Sequence, residues 1–296
     1  MLERYTFCMT NSKRVWLTLS VVGVLLILNG FVLQQLLLPA THPLRVSFLN
    51  VGQGDAILIE GPTGIQMLVD GGPDRSVIRE IPKLVGPIDR SLDVVVMTHP
   101  DKDHIAGLSD VLETYRVEKF ISPGLAGDTA VYDQLVSGIE KETGLEAYVA
   151  RQGQRIHLGG GAYADVLYPN KDVSHLRATN DASIVLHVVY GKTSFMLTGD
   201  LPSTIEDALV REVSPAFLAS TVLKAGHHGS KYSTDDVWLT AVSPDVVVIS
   251  AGKGNTYGHP APEALSRIQK SGAKTISTID EGTITFESDG VQVELR

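Results

Sequence analysis

The chain has 296 residues, of which 43% are hydrophobic and 20% are charged, and its formal net charge is −9. These values exclude most disordered and collagen-like proteins, and a lone cysteine, Cys8, excludes a fold held by intrachain disulfides. The length is sufficient for one large or two ordinary globular domains, since a single core commonly serves up to ~250 residues.

The first feature along the chain is an apolar stretch over residues 15–38 that contains no charged residue. A helix of this length reaches ~36 Å and can cross a hydrocarbon core of ~30 Å. Lys13 and Arg14 precede it, so the positive-inside rule predicts a single-pass membrane anchor with the following domain outside the cytoplasm. Secretion after cleavage is the alternative, but the stretch exceeds the ~7–15 apolar residues of a signal peptide, and Leu38-Pro39-Ala40 is a poor cleavage site.

Residues 1–44 are therefore predicted to form a cytoplasmic N-terminus and anchor, and residues 45–296 to form one domain. The domain alone contains 22 basic and 33 acidic residues, a net charge of −11. That charge argues against broad charge-driven binding of nucleic acid, which requires a basic surface. It does not exclude a phosphodiester substrate held by metal ions.

Short apolar segments bounded by Gly, Pro or Asp alternate with longer amphipathic segments throughout this domain. The apolar segments are typical of strands, and continuous apolar runs such as residues 94–97 and 246–249 are typical of sheets covered on both faces. The predicted strands include residues 46–50, 56–60, 65–70 and 93–98. The predicted helices are residues 75–84, 109–114, 130–143, 203–211 and 262–270. This interleaving indicates an α/β fold with helices packed outside sheets.

Two segments of the domain have similar sequences. Residues 55–71 and 181–200 each read as an apolar hairpin that turns at a glycine and closes on an aspartate beside glycine. The similarity is compatible with an internal duplication, and equally with two unrelated hairpins that share a common turn.

The strongest functional signal is His99-Pro-Asp-Lys-Asp-His104, which directly follows a predicted apolar strand. Its two histidines and two aspartates are potential metal ligands. A turn at a strand tip can direct such closely spaced side chains at one or two ions, whereas a continuous helix or strand would place them on different faces. A solvated polar loop is the alternative, but it explains less well why four potential ligands directly follow a buried strand.

Further potential ligands follow later apolar segments of the domain. Each one alone is also explained by a turn, but together they predict a convergent set of carboxylates and imidazoles. They are Asp200, His227, His228 and His259, with Ser230 beside them. The remaining histidines have no such setting and are expected to be surface or core residues. They are His42, His157, His175 and His187.

The order of these motifs resembles that of the metallo-β-lactamase fold hydrolases, and within that family the hydrolase domain of the competence protein ComEC. The motifs that carry the resemblance are Asn50-Val-Gly-Gln-Gly-Asp55, Asp70-Gly-Gly72, His99 to His104, Asn180-Asp-Ala-Ser183, Thr198-Gly-Asp200, His227-His-Gly-Ser230 and Tyr257-Gly-His-Pro260. They extend from about residue 45 to the C-terminus. The resemblance implies a four-layer αβ/βα sandwich with the metal site at one edge of two stacked sheets, here preceded by one transmembrane helix.

This resemblance and the residues present imply a centre of two divalent metal ions. His99 and Asp101 are expected to hold one ion, Asp103 and His104 to hold or orient the second, and Asp200 to bridge the two through its two oxygens. The sequence cannot choose between His227 and His228. His227 is the preferred ligand, and His228 is the preferred contact to substrate or leaving group.

Several residues are expected to act on the substrate. Asp103 is an alternative acceptor for the proton of the attacking water, and His228 and His259 are expected to contact the leaving group or donate a proton. A structural role in the turn before Pro260 is the alternative for His259. The expected substrate-binding residues are Asn180, Ser183 and Ser230.

The sequence departs from the common family motif at two places, and both affect the expected metal. Asp101 stands where many members have a second histidine, and Asn180 fills a place where many have another. Oxygen donors shift preference from zinc toward manganese or magnesium. The remaining imidazoles still suit zinc, so the expected cofactors are two zinc or manganese ions.

The glycine-rich stretch from Gly52 to Asp55 matches neither the dinucleotide-binding motif nor the P-loop. It is expected to be a tight turn between two strands, with Asp55 bonded to backbone near the metal edge.

The leading functional prediction is a membrane-anchored hydrolase, facing outward, that uses a metal-activated water on phosphodiesters, with extracellular DNA among the candidate substrates. A hydrolase of a small ester, lactone or phosphoester is the first alternative. A non-catalytic metal-stabilised binding module is the second. One predicted membrane anchor provides no multi-helix channel, so the chain is not expected to be a DNA translocase by itself.

Overall fold

A computed structural model describes residues 15–16, 18–29 and 42–296 of the chain. The chain divides into two units, residues 1–41 and residues 42–296. In the first unit, residues 15–16 and 18–29 are helical. The predicted anchor over residues 15–38 lies in part outside the described residues. Among the residues that are described, no helix combines the length and the apolar character that crossing a membrane requires.

The second unit consists of two β-sheets with helices on their outer faces. Its strands are β1 (Leu44–Phe48), β2 (Ile57–Glu60), β3 (Gln66–Val69), β4 (Ser91–Val96), β5 (Arg116–Ser122), β6 (Glu146–Val149), β7 (Arg155–Gly159), β8 (Ala162–Tyr168), β9 (Val185–Tyr190), β10 (Thr193–Leu197), β11 (Val222–Lys224), β12 (Val246–Ile249), β13 (Lys274–Ser277), β14 (Ile284–Ser288) and β15 (Val293–Leu295). Its α-helices are α1 (Val77–Val85), α2 (Lys102–Thr114), α3 (Ala130–Lys141), α4 (Ser203–Glu212), α5 (Pro215–Leu218), α6 (Asp236–Val242), α7 (Pro262–Ser271) and α8 (Thr278–Glu281). Two short 3-10 turns cover Thr179–Ala182 and Gly226–Gly229.

The two sheets repeat one strand pattern. The first has the order β15-β14-β1-β2-β3-β4-β5-β6, and the second has the order β13-β12-β11-β10-β9-β8-β7. In the first sheet, β1, β2 and β3 pair antiparallel and β3 to β6 pair parallel. In the second sheet, β8, β9 and β10 pair antiparallel and β10 to β13 pair parallel. The two similar hairpins of the sequence occupy corresponding places, which supports the duplication.

Three apolar layers hold the four structural layers together. The central layer lies between the sheets, where Phe48 and Phe286 of the first sheet meet Phe195 of the second. Each outer layer packs one sheet against its own helices. The continuous apolar runs of β4 and β12 supply both a central and an outer layer, which is why they lack the alternation of a half-exposed strand. The predicted αβ/βα sandwich is confirmed.

Helix α2 begins earlier than the sequence predicts. The prediction started this helix at Ser109, whereas it starts at Lys102 with Asp101 at the N-cap. The backbone carbonyl of Asp101 accepts hydrogen bonds from the amides of His104 and Ile105. The segment from His99 to His104, which was expected to be a turn, therefore consists of a turn up to Asp101 and the first turn of α2 from Lys102. Both parts lie at the same edge of the sheet.

Replacing Phe286 by alanine tests the central layer. Its ring lies 6.1 Å, centroid to centroid, from the rings of both Phe48 and Phe195. Because the truncation leaves a cavity between the sheets, we expect the free energy of unfolding to fall by about 3–5 kcal/mol in chemical denaturation. Val291 is exposed, and Val291→Ala should change it by less than about 0.5 kcal/mol. Equal effects of the two substitutions would contradict this packing.

Candidate metal centre

The candidate site lies at one edge of the two stacked sheets. Asp70 follows β3, the segment from Thr98 to His104 follows β4, Asp200 follows β10, and His227 and His228 follow β11. All four strands run into this edge, because β3 and β4 are parallel in one sheet and β10 and β11 are parallel in the other. Residues that are far apart in sequence therefore meet.

One oxygen of Asp200 lies at the centre of four imidazoles. Its Oδ2 is 3.3 Å from Nε2 of His104, 3.4 Å from Nε2 of His228, 3.6 Å from Nε2 of His227 and 3.9 Å from Nε2 of His99. The other oxygen, Oδ1, lies on the side of a buried lysine. The structure thus brings together the aspartate and the histidines of three separate sequence motifs.

Hydrogen bonds on the far side of the rings fix the orientation of two of these histidines. Nδ1 of His104 lies 2.8 Å from Oδ2 of Asp70, and Nδ1 of His228 lies 3.0 Å from the carbonyl oxygen of Ser250. A carboxylate and a carbonyl oxygen only accept, so each Nδ1 carries the proton and donates. Each Nε2 is then the ring nitrogen that faces Asp200 and, when deprotonated, it offers a lone pair to a cation, which is the arrangement found in metal-binding histidines.

His99 is oriented through a threonine. The hydroxyl of Thr98 donates to Oδ2 of Asp70 at 2.7 Å, and Nδ1 of His99 lies 3.0 Å from the same hydroxyl oxygen. Because the hydroxyl has only one proton, its oxygen accepts from Nδ1–H of His99. Asp70 therefore orients two histidines at once, and Nε2 of His99 also presents a lone pair.

The donor set fits a divalent metal. Nε2 of His99, His104 and His228 are buried atoms without a well-aligned hydrogen bond, as is Oδ1 of Asp200. Leaving several buried polar atoms unsatisfied costs about 1–3 kcal/mol each, so a native site needs a partner for them. Buried neutral imidazoles beside a carboxylate are suitable ligands for zinc, manganese or iron.

The charges of the cluster shift the titration of its members. Burial pulls the pKa of His104 and of His228 downwards, but Asp200 and a second carboxylate beside each ring outweigh it and raise both well above the usual value. Burial lowers the pKa of His99 to about 3. The pKa of Asp200 is well below its usual range, because His228 and His104 overcome the opposing effect of burial. Carboxylates that remain ionised in the interior provide the negative charge that cations require.

The backbone at the two adjacent histidines is strained. His227 and His228 both have positive φ angles, of 49° and 55°. Such angles are uncommon outside glycine and cost of order 1–3 kcal/mol each. The conformation turns the rings to different sides. His228 is buried with 1% of its side chain exposed, whereas the side chain of His227 is 31% exposed.

Asp101 and Asp103 lie on the open side of the cluster. Oδ2 of Asp101 is 3.7 Å from Nε2 of His99, and Oδ2 of Asp103 is 3.3 Å from Nε2 of His228. Burial raises the pKa of Asp101, whereas the nearby rings of His228 and His104 help to lower the pKa of Asp103 against the effect of burial. All of the predicted metal ligands therefore lie within one cluster.

The residues predicted to contact the substrate differ in burial and in hydrogen bonding. Asn180 lies beside His227, with 3.4 Å between its Nδ2 and Nδ1 of the ring. The hydroxyl of Ser183 is buried and accepts from the backbone amide of Asp200 at 3.2 Å. Ser230 is also buried, and its hydroxyl accepts from the amide of Tyr232. The ring of His259 lies 5.5 Å from that of His227. Substrate binding by these residues stays a prediction.

Sequence reasoning missed an ion pair behind the cluster. Nζ of Lys224 is fully buried, contacts Oδ2 of Asp55, donates to the carbonyl of Gly199 at 2.9 Å, and lies 3.7 Å from Oδ1 of Asp200. Asp55 was expected to bond to backbone, but its side chain pairs with this lysine. The available signal was a lysine inside the otherwise apolar run of β11, since a buried charge requires a partner.

Asp55 faces the back of the histidines. Ligand atoms of Asp55, His104, Asp200 and His228 lie within 4.8 Å of one another, so all four could in principle surround one ion. However, Asp55 approaches Nδ1 of His228 at 3.4 Å and Nδ1 of His104 at 3.9 Å, whereas Asp200 approaches Nε2 of both. Asp55 is therefore placed as the partner of Lys224 and a support for the rings.

The glycine-rich stretch supports another ligand. A Cβ at Gly54 would lie 2.1 Å from the backbone oxygen of Asp103, and the amide of Asp55 donates to that oxygen at 3.3 Å. Gly54 also has a positive φ of 136°. Only glycine allows this loop to pass so close to the start of α2, so the expected tight turn buttresses Asp103.

A buried glutamate of α4 holds the loop after His228. The carboxylate of Glu206 accepts from the backbone amides of Thr234 at 2.9 Å and Asp235 at 3.3 Å. The hydroxyl of Thr234 in turn accepts from the amide of Gly226, next to His227. Burial raises the pKa of Glu206 to about 8.

Replacing Lys224 by methionine is expected to destabilise the protein by about 3–5 kcal/mol, because Asp55 is left as an unpaired buried charge. Asp55→Asn in the same chain should restore part of that loss, since it removes the charge as well. Chemical unfolding of the two single variants and the double variant gives the coupling energy. Lys192 is exposed, and Lys192→Met serves as the control. Additive losses in the double variant would show that the pair is not coupled.

The pH dependence of stability tests Glu206. Its pKa rises from 4.5 in the unfolded chain to about 8 in the folded one, so the folded state binds more protons across that window. The contribution of Glu206 to the free energy of unfolding is then complete below pH 4.5. It falls by ~1.4 kcal/mol per pH unit as the pH rises toward 8. In Glu206→Gln this contribution to the slope should disappear. Parallel pH profiles of unfolding for the variant and the wild type would refute the assignment.

Comparison with known proteins agrees with this geometry. The sequence profile of the metallo-β-lactamase superfamily matches residues 49–253. ComE operon protein 3 of Bacillus subtilis is 30% identical over 260 residues, which cover 82% of this chain and 33% of that protein. Competence protein ComA of Neisseria gonorrhoeae is 28% identical, over 88% of this chain and 35% of that protein. The chain spans about a third of the length of these relatives.

Solved structures show the same fold at low sequence identity. CmlA, a diiron β-hydroxylase from Streptomyces venezuelae, has a TM-score of 0.54 and 13% identity, over 83% of this chain and 54% of that one. Tm1679, a metal-dependent hydrolase of the β-lactamase superfamily, has a TM-score of 0.51 and 13% identity, over 81% of this chain and 98% of that one. The profile match, the relatives and the fold agree, and the chain belongs to the metallo-β-lactamase superfamily.

Proposed function

We propose that this protein is a hydrolase of phosphodiesters that works with two divalent metal ions, zinc or manganese. The observation that carries the proposal is the position of Oδ2 of Asp200 between four imidazole Nε2 atoms, three of them buried without a well-aligned hydrogen bond. One oxygen that faces nitrogens on several sides suits a carboxylate between two ions. The oxygen in question is Oδ2 alone, since Oδ1 faces Lys224.

The carboxylates pair with different histidines around this oxygen. Asp101 lies beside His99 and Asp103 lies beside His228. The ring of His104 is close to both histidines, with centroids 4.1 Å from His99 and 5.2 Å from His228. The roles of the two adjacent histidines are exchanged relative to the sequence-based preference. We assign His228 as the ligand because its ring is buried and its Nδ1 is held by Ser250. The half-exposed His227 then faces the substrate.

The charge of the site supports two ions rather than one. Five carboxylates lie in or directly behind the cluster, and Lys224 supplies a single positive charge. With neutral imidazoles, the group carries −4, which two divalent cations neutralise. The carboxylates belong to Asp55, Asp70, Asp101, Asp103 and Asp200.

The protein groups have distinct tasks in the proposed reaction. The bound ions would polarise the phosphate and lower the pKa of an attacking water. Asp103, on the open side, is positioned to accept the proton of that water, and the pKa of its carboxyl is lowered, so the base is ionised at neutral pH. His227 and His259 stand together at the exposed end, where their rings can hydrogen-bond to the leaving oxygen.

The relatives suggest DNA as the phosphodiester. One of them, ComA, is named a competence protein, and another, Recombination protein 2 of Haemophilus influenzae, is 28% identical over 84% of this chain and 30% of that protein. We further propose that residues 15–38 anchor the protein in the cell membrane, with the hydrolase domain outside. Protease added to intact cells should then degrade that domain, and full protection would contradict the proposed orientation.

Removing one ligand tests the proposed centre. Wild-type protein should contain two equivalents of zinc or manganese by elemental analysis. His228→Ala should lose about one of them and reduce hydrolysis of methyl p-nitrophenyl phosphate at least ~100-fold. His227→Ala should keep both ions. His175 is exposed, and His175→Ala should keep metal and activity.

The outcomes of this experiment distinguish the alternatives. Loss of metal in His227→Ala but not in His228→Ala would reverse the ligand assignment. Fewer than one equivalent of metal in the wild type, under several loading conditions, would contradict the metal centre. A panel of single-stranded DNA, an ester, a lactone and a β-lactam identifies the substrate class, and turnover of an ester or lactone alone would replace the phosphodiester proposal.

A further inference from the structure

A line of aromatic rings connects the buried cluster to the protein surface. Ring centroids are 5.2 Å apart for His104 and His228, 6.0 Å for His228 and His227, and 5.5 Å for His227 and His259. The line ends at Tyr257, whose ring lies 6.1 Å from that of His259 at an interplanar angle of 16°. Tyr257 is 69% exposed, so one face of a large ring is open to solvent at the outer end of the site.

The loop that carries Tyr257 is held firmly. The side chain of Asn255 accepts from the backbone amide of His259 at 3.0 Å and donates to the carbonyl oxygens of His259 and Gly252. A Cβ at Gly252 would lie 2.5 Å from the backbone nitrogen of Gln53, so this loop packs tightly on the loop before Asp55. A ring on a fixed loop loses little conformational entropy when a flat partner stacks on it.

Three exposed lysines lie in the chain segments that carry the site. Lys102 is the first residue of α2, between Asp101 and Asp103, Lys231 follows Ser230, and Lys253 belongs to the loop of Tyr257. We call Lys102, Lys231, Lys253 and Tyr257 the rim. Positive charge in this acidic domain therefore lies in the same chain segments as residues of the candidate site.

Basic residues elsewhere on the domain are differently placed. The guanidinium of Arg75 pairs with Asp110 at 3.0 Å, and Lys83 pairs with Glu80. Both lie on or next to α1, and neither is next in sequence to a site residue.

We propose that the rim binds single-stranded nucleic acid, with Tyr257 stacking on the base next to the scissile phosphate and the three lysines contacting neighbouring phosphates. This inference rests on the proposed phosphodiesterase function. Aromatic stacking on bases combined with lysines along the backbone is the general mode of single-strand binding, and it does not depend on sequence. A duplex, whose bases are already stacked on one another, would not present a free base face to Tyr257.

Tyr257→Ala tests the stacking. The substrates are a labelled oligothymidine and the same strand with abasic residues, both with manganese-loaded protein. Stacking is worth ~1–3 kcal/mol per base, so the ratio of kcat/KM for the normal strand to that for the abasic strand should fall about tenfold, mainly through KM. Tyr257→Phe should keep the ratio. Tyr148 is an exposed tyrosine on β6, and Tyr148→Ala is the matched control.

Charge is tested separately through salt dependence. The association constant for the oligothymidine is measured by fluorescence anisotropy at several salt concentrations. Changing Lys102, Lys231 and Lys253 to glutamine should reduce the magnitude of the slope of its logarithm against the logarithm of the salt concentration by ~2. The control changes Arg75, Arg79 and Lys83 to glutamine. It removes the same formal charge, and it should leave the slope nearly unchanged.

The results separate this inference from the proposed function. If the wild type hydrolyses methyl p-nitrophenyl phosphate but Tyr257→Ala leaves the ratio unchanged, the stacking inference is wrong and the function stands. If the wild type hydrolyses no phosphodiester, the function fails, and anisotropy with the normal and abasic strands still tests the stacking. Equal loss of binding in the rim triple variant and in the control triple variant would show a non-specific effect of net charge.

Discussion

The site depends on the cost of burying carboxylates. Asp55, Asp70 and Asp200 are all at most 2% exposed, and an ionised carboxylate in that position is unstable unless positive or donor groups surround it. Lys224 compensates Asp55, Thr98 and His104 compensate Asp70, and the imidazoles face Asp200. The orientation of His104 follows from this compensation, because its Nδ1 satisfies Asp70 and its Nε2 then faces Asp200.

The duplicated architecture explains why two similar aspartates do different work. Asp70 follows β3 and Asp200 follows β10, which occupy corresponding places in their sheets. The two halves meet at one edge, but they contribute different side chains there. The first half supplies His99 and His104 after β4, and the second half supplies Lys224 at the end of β11 and His228 after it. Asp70 therefore lies behind the rings as a support, and Asp200 lies in front of them. Asp70 and Asp200 thus occupy equivalent positions in the two halves but have different neighbours, because different residues follow β4 and β11.

Negative charge in the domain and a negatively charged substrate are compatible because charge is distributed unevenly. Much of the acidity near the site belongs to buried carboxylates, which divalent cations would neutralise. Three exposed lysines lie in the chain segments that carry the site, whereas Arg75 and Lys83 pair with acidic neighbours elsewhere. Net charge thus describes the long-range field, and the local arrangement decides what the site can hold.

The sequence alone predicted the α/β class, most helices, the hairpin repeat and the side chains that the fold brings together in one cluster, because these depend on local periodicity and on residue types at strand tips. It did not determine the partner of Asp55, the choice between His227 and His228, or the oxygen of Asp200 that faces the rings. Those depend on distances between β10 and β11 of one sheet and the loop after β4 of the other. Only the packing of the two sheets brings these residues together, and only the left-handed backbone at His227 and His228 decides which ring is buried.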